Sequence, residues 1–130
     1  MIKVKQHEWC IHMRVICTTV IRGADTYEFS GRIVEIDLPS GEIIMTMQLP
    51  DIGFIIGPRG GSRGGRGVRV FENKIYVSTY SCILVYDYSW NLLTEIRHPH
   101  VVGHHEIQVD AEGIWCCSTV IDAKIGRAHV

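Results

Sequence analysis

Side chains able to do chemistry lie close together in the stretch GHHEIQVDAEGIWCCST, which covers residues 103–119. A His-His-Glu triplet near its start is followed ten residues later by the pair Cys116 and Cys117. Imidazoles, carboxylates and thiolates are the usual ligands of zinc and related metals, and histidine also serves as a general acid or base. The stretch therefore indicates either a metal or catalytic site, or two β-strands that carry reactive side chains.

The overall composition excludes several classes of partner. The chain has 130 residues, 46% of them hydrophobic and 21% charged, which is typical of one folded globular domain. Thirteen basic residues oppose fourteen acidic ones, so no overall field favours nucleic acid or an anionic membrane, and we expect neither as a partner. Because no signal-peptide pattern or apolar run of about 18 residues is present, we expect a cytoplasmic protein.

The cysteines predict structural thiols. Their number is odd and there is no C-x-x-C spacing, so neither a zinc knuckle nor a thioredoxin-type motif is indicated. On a strand, the adjacent Cys116 and Cys117 point to opposite faces of the sheet. We therefore expect unpaired thiols in a reducing compartment.

Short runs rich in Val, Ile, Thr and Tyr, divided by Gly, Pro, Asp and Asn, predict an all-β fold, and these runs repeat. The segment KIYVSTYSCILVYD (74–87) matches RVICTT followed by GRIVEID (14–37), and GRGVRVFENKIYVSTY (65–80) matches GHHEIQVDAEGIWCCST. A period of about 40 residues made of four short antiparallel strands indicates the blades of a β-propeller.

The repeat predicts that residues 1–124 form one domain of about two and a half blades. The blades cover about 1–50, 65–99 and 103–124, and the third is expected to end after its second strand. The predicted strands are 13–20, 32–37, 42–48, 67–71, 75–80, 83–87, 92–97, 105–109 and 114–119.

The pattern GRGVRV, KIYVSTY, ILVYD, LLTEI, HEIQVD and GIWCCST resembles the repeat of six- or seven-bladed propellers of the NHL, YncE and arylsulfotransferase-like kind. The resemblance implies that the first strand of each blade lines a central channel. It also implies that channel histidines, such as those in HHEI, act as nucleophile or acid/base in the arylsulfotransferase-like members.

A propeller closes with about four or more blades, so the chain is expected to be a fragment of a longer protein. Its last six residues, IGRAHV (125–130), lack strand alternation. They also match the translated start of a common high-throughput sequencing adapter. We therefore predict that residues 125–130 are not native.

The connection IIGPRGGSRGGRG (55–67) carries Arg59, Arg63 and Arg66 among glycines. Arginines grip carboxylates, sulfates or phosphates through two hydrogen bonds, so these three are candidate ligand-binding residues. No Gly-Lys-Ser/Thr follows, which excludes a Walker A loop. The alternatives are a flexible connection kept soluble by arginine and, less favoured, an RNA-binding RGG segment.

The connection HPHVVGHHE (98–106) occupies the equivalent place before the next blade, so both connections are expected to open at one channel mouth. His104, His105 and Glu106 are the candidate catalytic residues. On a regular strand His104 and Glu106 face one way and His105 the other. With His98 and His100 they could also ligate a metal, although we predict no metal site, and the remaining alternative is a set of solvated polar residues.

Aspartates and tryptophans recur at equivalent positions. We interpret Asp37, Asp87 and Asp122 as turn-forming residues after the third strand of a blade. The three tryptophans are expected to pack between blades or over turns. They are Trp9, Trp90 and Trp115.

These patterns predict a propeller fragment that binds a small or anionic ligand at the channel mouth. One alternative is a non-catalytic scaffold for protein partners. Another is a sulfotransferase-, lactonase- or lyase-like enzyme, in which Arg63 and Arg66 stabilise negative charge beside His104 or His105. The sequence identifies neither the substrate nor a cofactor.

Overall fold

The computed structural model describes residues 13–21, 31–51 and 64–119, together with the backbone of residues 123–128. This part of the chain is all-β, as predicted, and it contains no helix with the length and apolar character needed to cross a membrane. The strands are β1 (Arg14–Thr18), β2 (Arg32–Asp37), β3 (Ile43–Gln48), β4 (Val68–Phe71), β5 (Lys74–Ser78), β6 (Ile83–Tyr86), β7 (Leu92–Ile96), β8 (His104–Asp110), β9 (Gly113–Ser118) and β10 (Ala123–Ala128).

The strands form three separate antiparallel sheets, each built from strands adjacent in sequence. Sheet 1 has the order β1-β2-β3, sheet 2 the order β4-β5-β6-β7, and sheet 3 the order β10-β9-β8. The four strands predicted between residues 67 and 97 all form, with bounds within two residues of the prediction. β-branched and aromatic residues between Gly, Asn and Asp turns account for this agreement.

Sheet 3 departs from the expectation in its last strand. β10 pairs with β9, with Ala123 opposite Ser118 and Ile125 opposite Cys116. The expectation that this sheet ends after its second strand is therefore wrong. Backbone pairing needs no alternation of side chains, which is why the pattern of residues 123–128 did not reveal the strand.

Aspartates form the turns that follow β2 and β6, as predicted. Oδ2 of Asp37 accepts hydrogen bonds from the backbone N (3.1 Å) and Oγ (2.7 Å) of Ser40. Asp87 accepts from the backbone N and Nδ2 of Asn91, each at 2.9 Å, and these bonds lower the pKa of its carboxyl group. Asp122 lies outside the described residues.

Sheet 2 is covered on both faces, because its side chains alternate between two hydrophobic cores. In β5, Ile75 and Val77 enter core 1, against sheet 1, whereas Tyr76 enters core 2, against sheet 3. Core 1 consists of Ile33, Leu49, Ile75, Val77, Cys82, Leu84 and Tyr86. Core 2 consists of Tyr76, Ile83, Val85, Val101, Ile107, Val109, Ile114 and Cys116.

Trp90 joins sheets 1 and 2 as a packing residue. Its indole Nε1 donates to Oε2 of Glu35 at 3.0 Å, and its ring meets Tyr86 edge-on at 5.7 Å between centroids. Trp115, in contrast, is 42% exposed, which differs from its predicted packing role. Trp9 is not among the described residues.

Cysteines in the described ranges are free thiols, and the adjacent pair lies on opposite faces as expected. Cys116 is buried in core 2, whereas Cys117 is exposed. Cys82 is buried as well, and burial raises the pKa of the Cys82 and Cys116 thiols. These two thiols therefore remain protonated packing groups at neutral pH.

The first strands of the sheets lie near one another along one side of the molecule. Among the strands that the structure describes, β1, β4 and β8 are each at the edge of a sheet, and β4 contacts both β1 and β8. Hydroxyl groups at the ends of β1 and β9 bond to the neighbouring connections. Thr18 Oγ1 donates to the Arg66 oxygen at 2.7 Å, and Ser118 Oγ donates to the Val102 oxygen at 2.6 Å.

Candidate functional site

The start of β8 contains a β-bulge that sets the direction of three candidate residues. His104 pairs with Ser118, and Ile107 pairs with Cys116, so β8 uses one residue more than β9 between these pairs. Within the bulge, His105 and Glu106 are both exposed, whereas His104 on one side and Ile107 on the other are buried. The bulge thus interrupts the inward–outward alternation of the strand.

The expectation that His104 and Glu106 share a face is therefore wrong. It assumed a regular strand, and the extra residue of the bulge turns His105 and Glu106 to the solvent side together. His104 is instead fully buried, with 0% exposure. The His-His-Glu triplet is divided into one interior residue and two residues available to a ligand.

An open cleft of about 610 Å³ lies where the edges of the three sheets meet. Arg66, His105 and Glu106, all candidates from the sequence, line it together. Its other lining residues are Thr18, Val20, Gly65, Gly67, Val68 and Arg69. The cleft therefore draws on the end of β1, the start of β4 and the bulge of β8.

Arg66 is fixed in the wall of the cleft by several contacts. Its Nη1 donates to the backbone oxygen of His104 at 2.7 Å, and its guanidinium carbon lies 5.5 Å from the centroid of the Tyr80 ring. Its backbone N donates to the oxygen of Ser78 at 2.8 Å. These contacts hold a permanent positive charge beside His105 and Glu106.

Arg69 is a cleft residue that the sequence analysis did not single out. It lies in β4, where Nε donates to Oε1 of Gln108 at 3.3 Å and Nη1 donates to the Val68 oxygen at 2.9 Å. An available signal was the alternation of VRVF, which places a charged side chain between the apolar residues of an edge strand. Arg59 and Arg63 lie outside the described residues.

Gly67 allows the backbone before β4 to approach the bulge. A Cβ atom at this position would lie 3.1 Å from Cα of Glu106 and 3.1 Å from N of Ile107. The Gly67 backbone N donates to Oγ of Ser78 at 2.8 Å. Gly67 therefore allows two segments of the chain to pack closely.

His104 is held in its neutral form. Burial lowers the pKa of its imidazole, and the nearby positive charge of Arg66 lowers it further. Backbone groups of Thr79, Val101 and Cys82 oppose this shift, yet within the described ranges neither ring nitrogen has a hydrogen-bond partner of good geometry. His104 therefore supports the seam between sheets 2 and 3 and does not line the cleft.

The other histidines considered as metal ligands lie elsewhere. His98 and His100 are exposed and adjacent to each other, with ring centroids 5.4 Å apart and a 3.2 Å hydrogen bond from the backbone N of His100 to Nδ1 of His98. Neither lines the cleft. In the part of the chain that the structure describes, no three His, Cys, Asp or Glu side chains form a group that could hold a metal ion.

The charges lining the cleft favour an anion that also carries a hydrogen-bond donor. Arg66 and Arg69 are permanently positive, and Glu106 contributes one carboxylate. His105 can donate or accept a hydrogen bond. The arrangement can therefore bind a carboxylate, sulfate or phosphate group at the arginines while Glu106 accepts from a hydroxyl or amino group of the same molecule.

No protein-family profile, curated protein or solved structure matches the chain.

Proposed function

We propose that the three sheets are successive blades of a β-propeller and that the cleft at their inner edges binds a small anionic ligand. The blade arrangement is supported by the antiparallel order of neighbouring strands, the two face-to-face cores and the edge positions of β4 and β8, which contact each other. In a propeller these edges belong to the inner side, where ligands commonly enter.

The observation that carries the ligand proposal is the bulge at the start of β8. It turns His105 and Glu106 into the cleft that Arg66 and Arg69 also line. Bulges are frequent beside functional sites because they redirect side chains. A regular strand would direct only one of the two residues towards this space.

The ligand class follows from the lining groups. Two guanidinium groups attract one carboxylate, sulfate or phosphate, and Glu106 favours a second group that donates a hydrogen bond. Small hydroxy or amino acids and their phosphate esters combine both features. A neutral sugar or an apolar molecule lacks the charge that the arginines require.

The test is a titration of the full chain with inorganic phosphate, sulfate, glycolate and acetate. Isothermal titration calorimetry and the NMR shifts of the His105 ring measure the binding. We expect glycolate to bind more tightly than acetate, because its hydroxyl group can donate to Glu106. Arg69→Gln is expected to weaken binding by about 10-fold or more, since a charge-assisted hydrogen bond contributes about 1.5–3 kcal/mol.

Arg97→Gln is the matched control. Arg97 is an exposed arginine beyond β7 that pairs with Glu95 and does not line the cleft. Its substitution should leave the affinity unchanged. Equal weakening by both substitutions, or no binding of any of these anions, would contradict the proposal and favour a scaffold for protein partners.

A second candidate function, acid–base catalysis on the bound anion, is supported by the adjacency of His105 and Glu106 in the cleft. In this version His105 is the catalytic residue, because His104 is buried away from the space. His105→Gln would then abolish turnover of a candidate ester while leaving ligand binding largely intact. Parallel loss of binding and turnover would support a binding role alone.

A further inference from the structure

Arg69 carries a positive charge with which no carboxylate forms an ion pair in the part of the chain that the structure describes. Its Nε donates to Oε1 of Gln108 at 3.3 Å, and its Nη1 donates to the backbone oxygen of Val68 at 2.9 Å. Both acceptors are neutral, so the two bonds orient the guanidinium group without cancelling its charge. Arg66 differs, since its contacts fix it in the cleft wall. Arg69 is therefore the arginine that is better placed to bind a ligand.

Glu106 brings the opposite charge to the same cleft. Its carboxylate forms no ion pair with any of the described residues, Arg69 included. The bulge leaves Glu106 exposed, and both Glu106 and Arg69 line the open space. One guanidinium group and one carboxylate that do not pair with each other are complementary to a molecule that carries both charges.

The packing of β4 against β8 sets the spacing of these two charges. Gly67 lies against Glu106, because a Cβ atom at Gly67 would be 3.1 Å from Cα of Glu106. Two residues further along each strand, Arg69 bonds to Gln108. The levels of Glu106 and Arg69 are thus separated by two residues, or about 7 Å along the strands. This separation is comparable to two charge-assisted hydrogen bonds of about 2.8 Å with a small head group between them.

We propose that the cleft selects a zwitterionic α-amino acid, with the ligand carboxylate on Arg69 and the ligand ammonium group on Glu106. The inference rests on the proposed anion-binding function and narrows its ligand class. An ammonium group gives Glu106 a hydrogen bond in which both partners are charged, whereas the hydroxyl group of a hydroxy acid is a neutral donor. A simple anion leaves Glu106 facing a ligand of its own charge, which disfavours that ligand.

Gln108 is the positioning residue of this arrangement. Its neutral amide oxygen orients Arg69 and leaves the charge of the guanidinium group to the ligand. A glutamate in its place would form an ion pair with Arg69 and compete with the ligand carboxylate. The charge of the side chain at position 108 therefore determines how strongly Arg69 attracts a carboxylate.

Calorimetric titration of the full chain with glycine and with glycolate, at neutral pH and low ionic strength, tests the selectivity. The two molecules share a carboxylate and differ only in an ammonium group or a hydroxyl group. The ratio of their dissociation constants therefore measures the contact with Glu106. We expect glycine to bind about 10-fold more tightly than glycolate.

Glu106→Gln should remove this preference. Glycine should then bind about 10-fold more weakly, because its ammonium group loses a charged partner. Glycolate should change little, since the amide oxygen of glutamine still accepts from its hydroxyl group. Glu72→Gln is the matched control, because Glu72 is an exposed acid between β4 and β5 that does not line the cleft. It removes the same charge and should retain both affinities.

Gln108→Glu should weaken glycine and glycolate alike by about 10-fold, because it pairs with Arg69 and leaves Glu106 in place. The NMR signal of the Arg69 Nε–Hε group should shift in this variant, which a purely structural role of Gln108 does not require. Gln48→Glu adds the same charge at the exposed end of β3 and should leave both affinities unchanged.

Equal binding of glycine and glycolate by the parent chain would overturn the inference and leave the anion-binding proposal intact. A preference for glycine that persists in Glu106→Gln would overturn it in the same way. If glycolate, phosphate and sulfate all fail to bind, the proposed function itself is contradicted and the inference falls with it. Circular dichroism spectra that match the parent chain establish that each variant is folded.

Discussion

Nη1 of Arg66 lies 2.7 Å from the backbone oxygen of His104 and donates a hydrogen bond to it. This contact joins the connection before β4 to the residue at which the bulge of β8 begins. The charge in the cleft wall and the geometry of the bulge therefore depend on the same interaction. Disturbing either partner is expected to affect both the stability of the seam and the shape of the cleft.

Arg66→Lys should reduce the free energy of unfolding by about 1–2 kcal/mol, because lysine lacks the planar group that reaches the carbonyl and covers Tyr80. Urea unfolding followed by circular dichroism measures the change. Arg97→Lys, at an exposed ion pair, should change stability by less than about 0.5 kcal/mol. Similar losses in both variants would show that the Arg66 contact adds no stability.

His104→Leu should flatten the acid dependence of stability. The buried imidazole stays neutral in the folded chain, with a lowered pKa, whereas in the unfolded chain it takes up a proton near pH 6.5. Its contribution to stability is therefore complete above that pH. It decreases as the pH falls below it, by at most about 1.4 kcal/mol per pH unit.

Urea unfolding of His104→Leu at pH 7.5 and at pH 5.5 measures this effect. At pH 7.5 we expect unchanged or greater stability, because both ring nitrogens lack hydrogen-bond partners in the part of the chain that the structure describes. His98→Leu, at an exposed position, should retain the acid dependence of the parent chain. A parent-like slope in His104→Leu would contradict the assignment of a buried neutral imidazole.

Tyr86→Phe should raise the free energy of unfolding by about 1 kcal/mol, because the buried hydroxyl has no hydrogen-bond partner among the described residues. Burial also raises the pKa of Tyr86 to about 12, so its ionisation favours unfolding above about pH 10. The variant should lose this part of the alkaline destabilisation. Tyr88→Phe, 56% exposed in the adjacent turn, should behave as the parent chain in thermal and urea unfolding. Destabilisation by Tyr86→Phe would indicate that the hydroxyl is satisfied.

Gly67→Ala should cost about 1–2 kcal/mol, because the added methyl group meets backbone atoms of Glu106 and Ile107 that move only with the bulge. The His105 ring signals should shift in the same variant, which NMR measures. At Gly41, where φ is +73° and the surrounding space is open, Asn should be tolerated with a smaller loss. Unchanged His105 signals in Gly67→Ala would show that the packing at Gly67 does not affect the geometry of the bulge.

The all-β class and the strands of sheet 2 were predictable, because local alternation and turn residues determine them. Ile83 to Tyr86 and the turn at Asp87 show this directly. The bulge was not predictable in the same way, since an extra residue in β8 is defined only by its pairing with β9. Ile107 and Val109 face inward, so a regular alternation along β8 would place His105 inward as well. In the structure His104 faces inward in its place.

The candidate site was predicted in part. Arg66, His105 and Glu106 lie in one cleft, as the repeat suggested, because equivalent connections come to the same side of neighbouring sheets. Arg69 was not predicted, because it lies within a strand and not among the glycines that marked the other arginines. Its place in the cleft depends on the contact between β4 and β8. Burial of His104 is a tertiary effect that no local pattern of polar residues encodes.

Sheet 2 buries its central strands on both faces, which has a consequence for how the chain unfolds. β5 and β6 have no solvent-facing side that would keep them soluble once either neighbouring sheet detaches. Loss of sheet 1 or sheet 3 therefore exposes apolar strands and promotes loss of the remaining structure. We expect a single cooperative transition instead of sheet-by-sheet melting, with aggregation starting from the exposed middle strands.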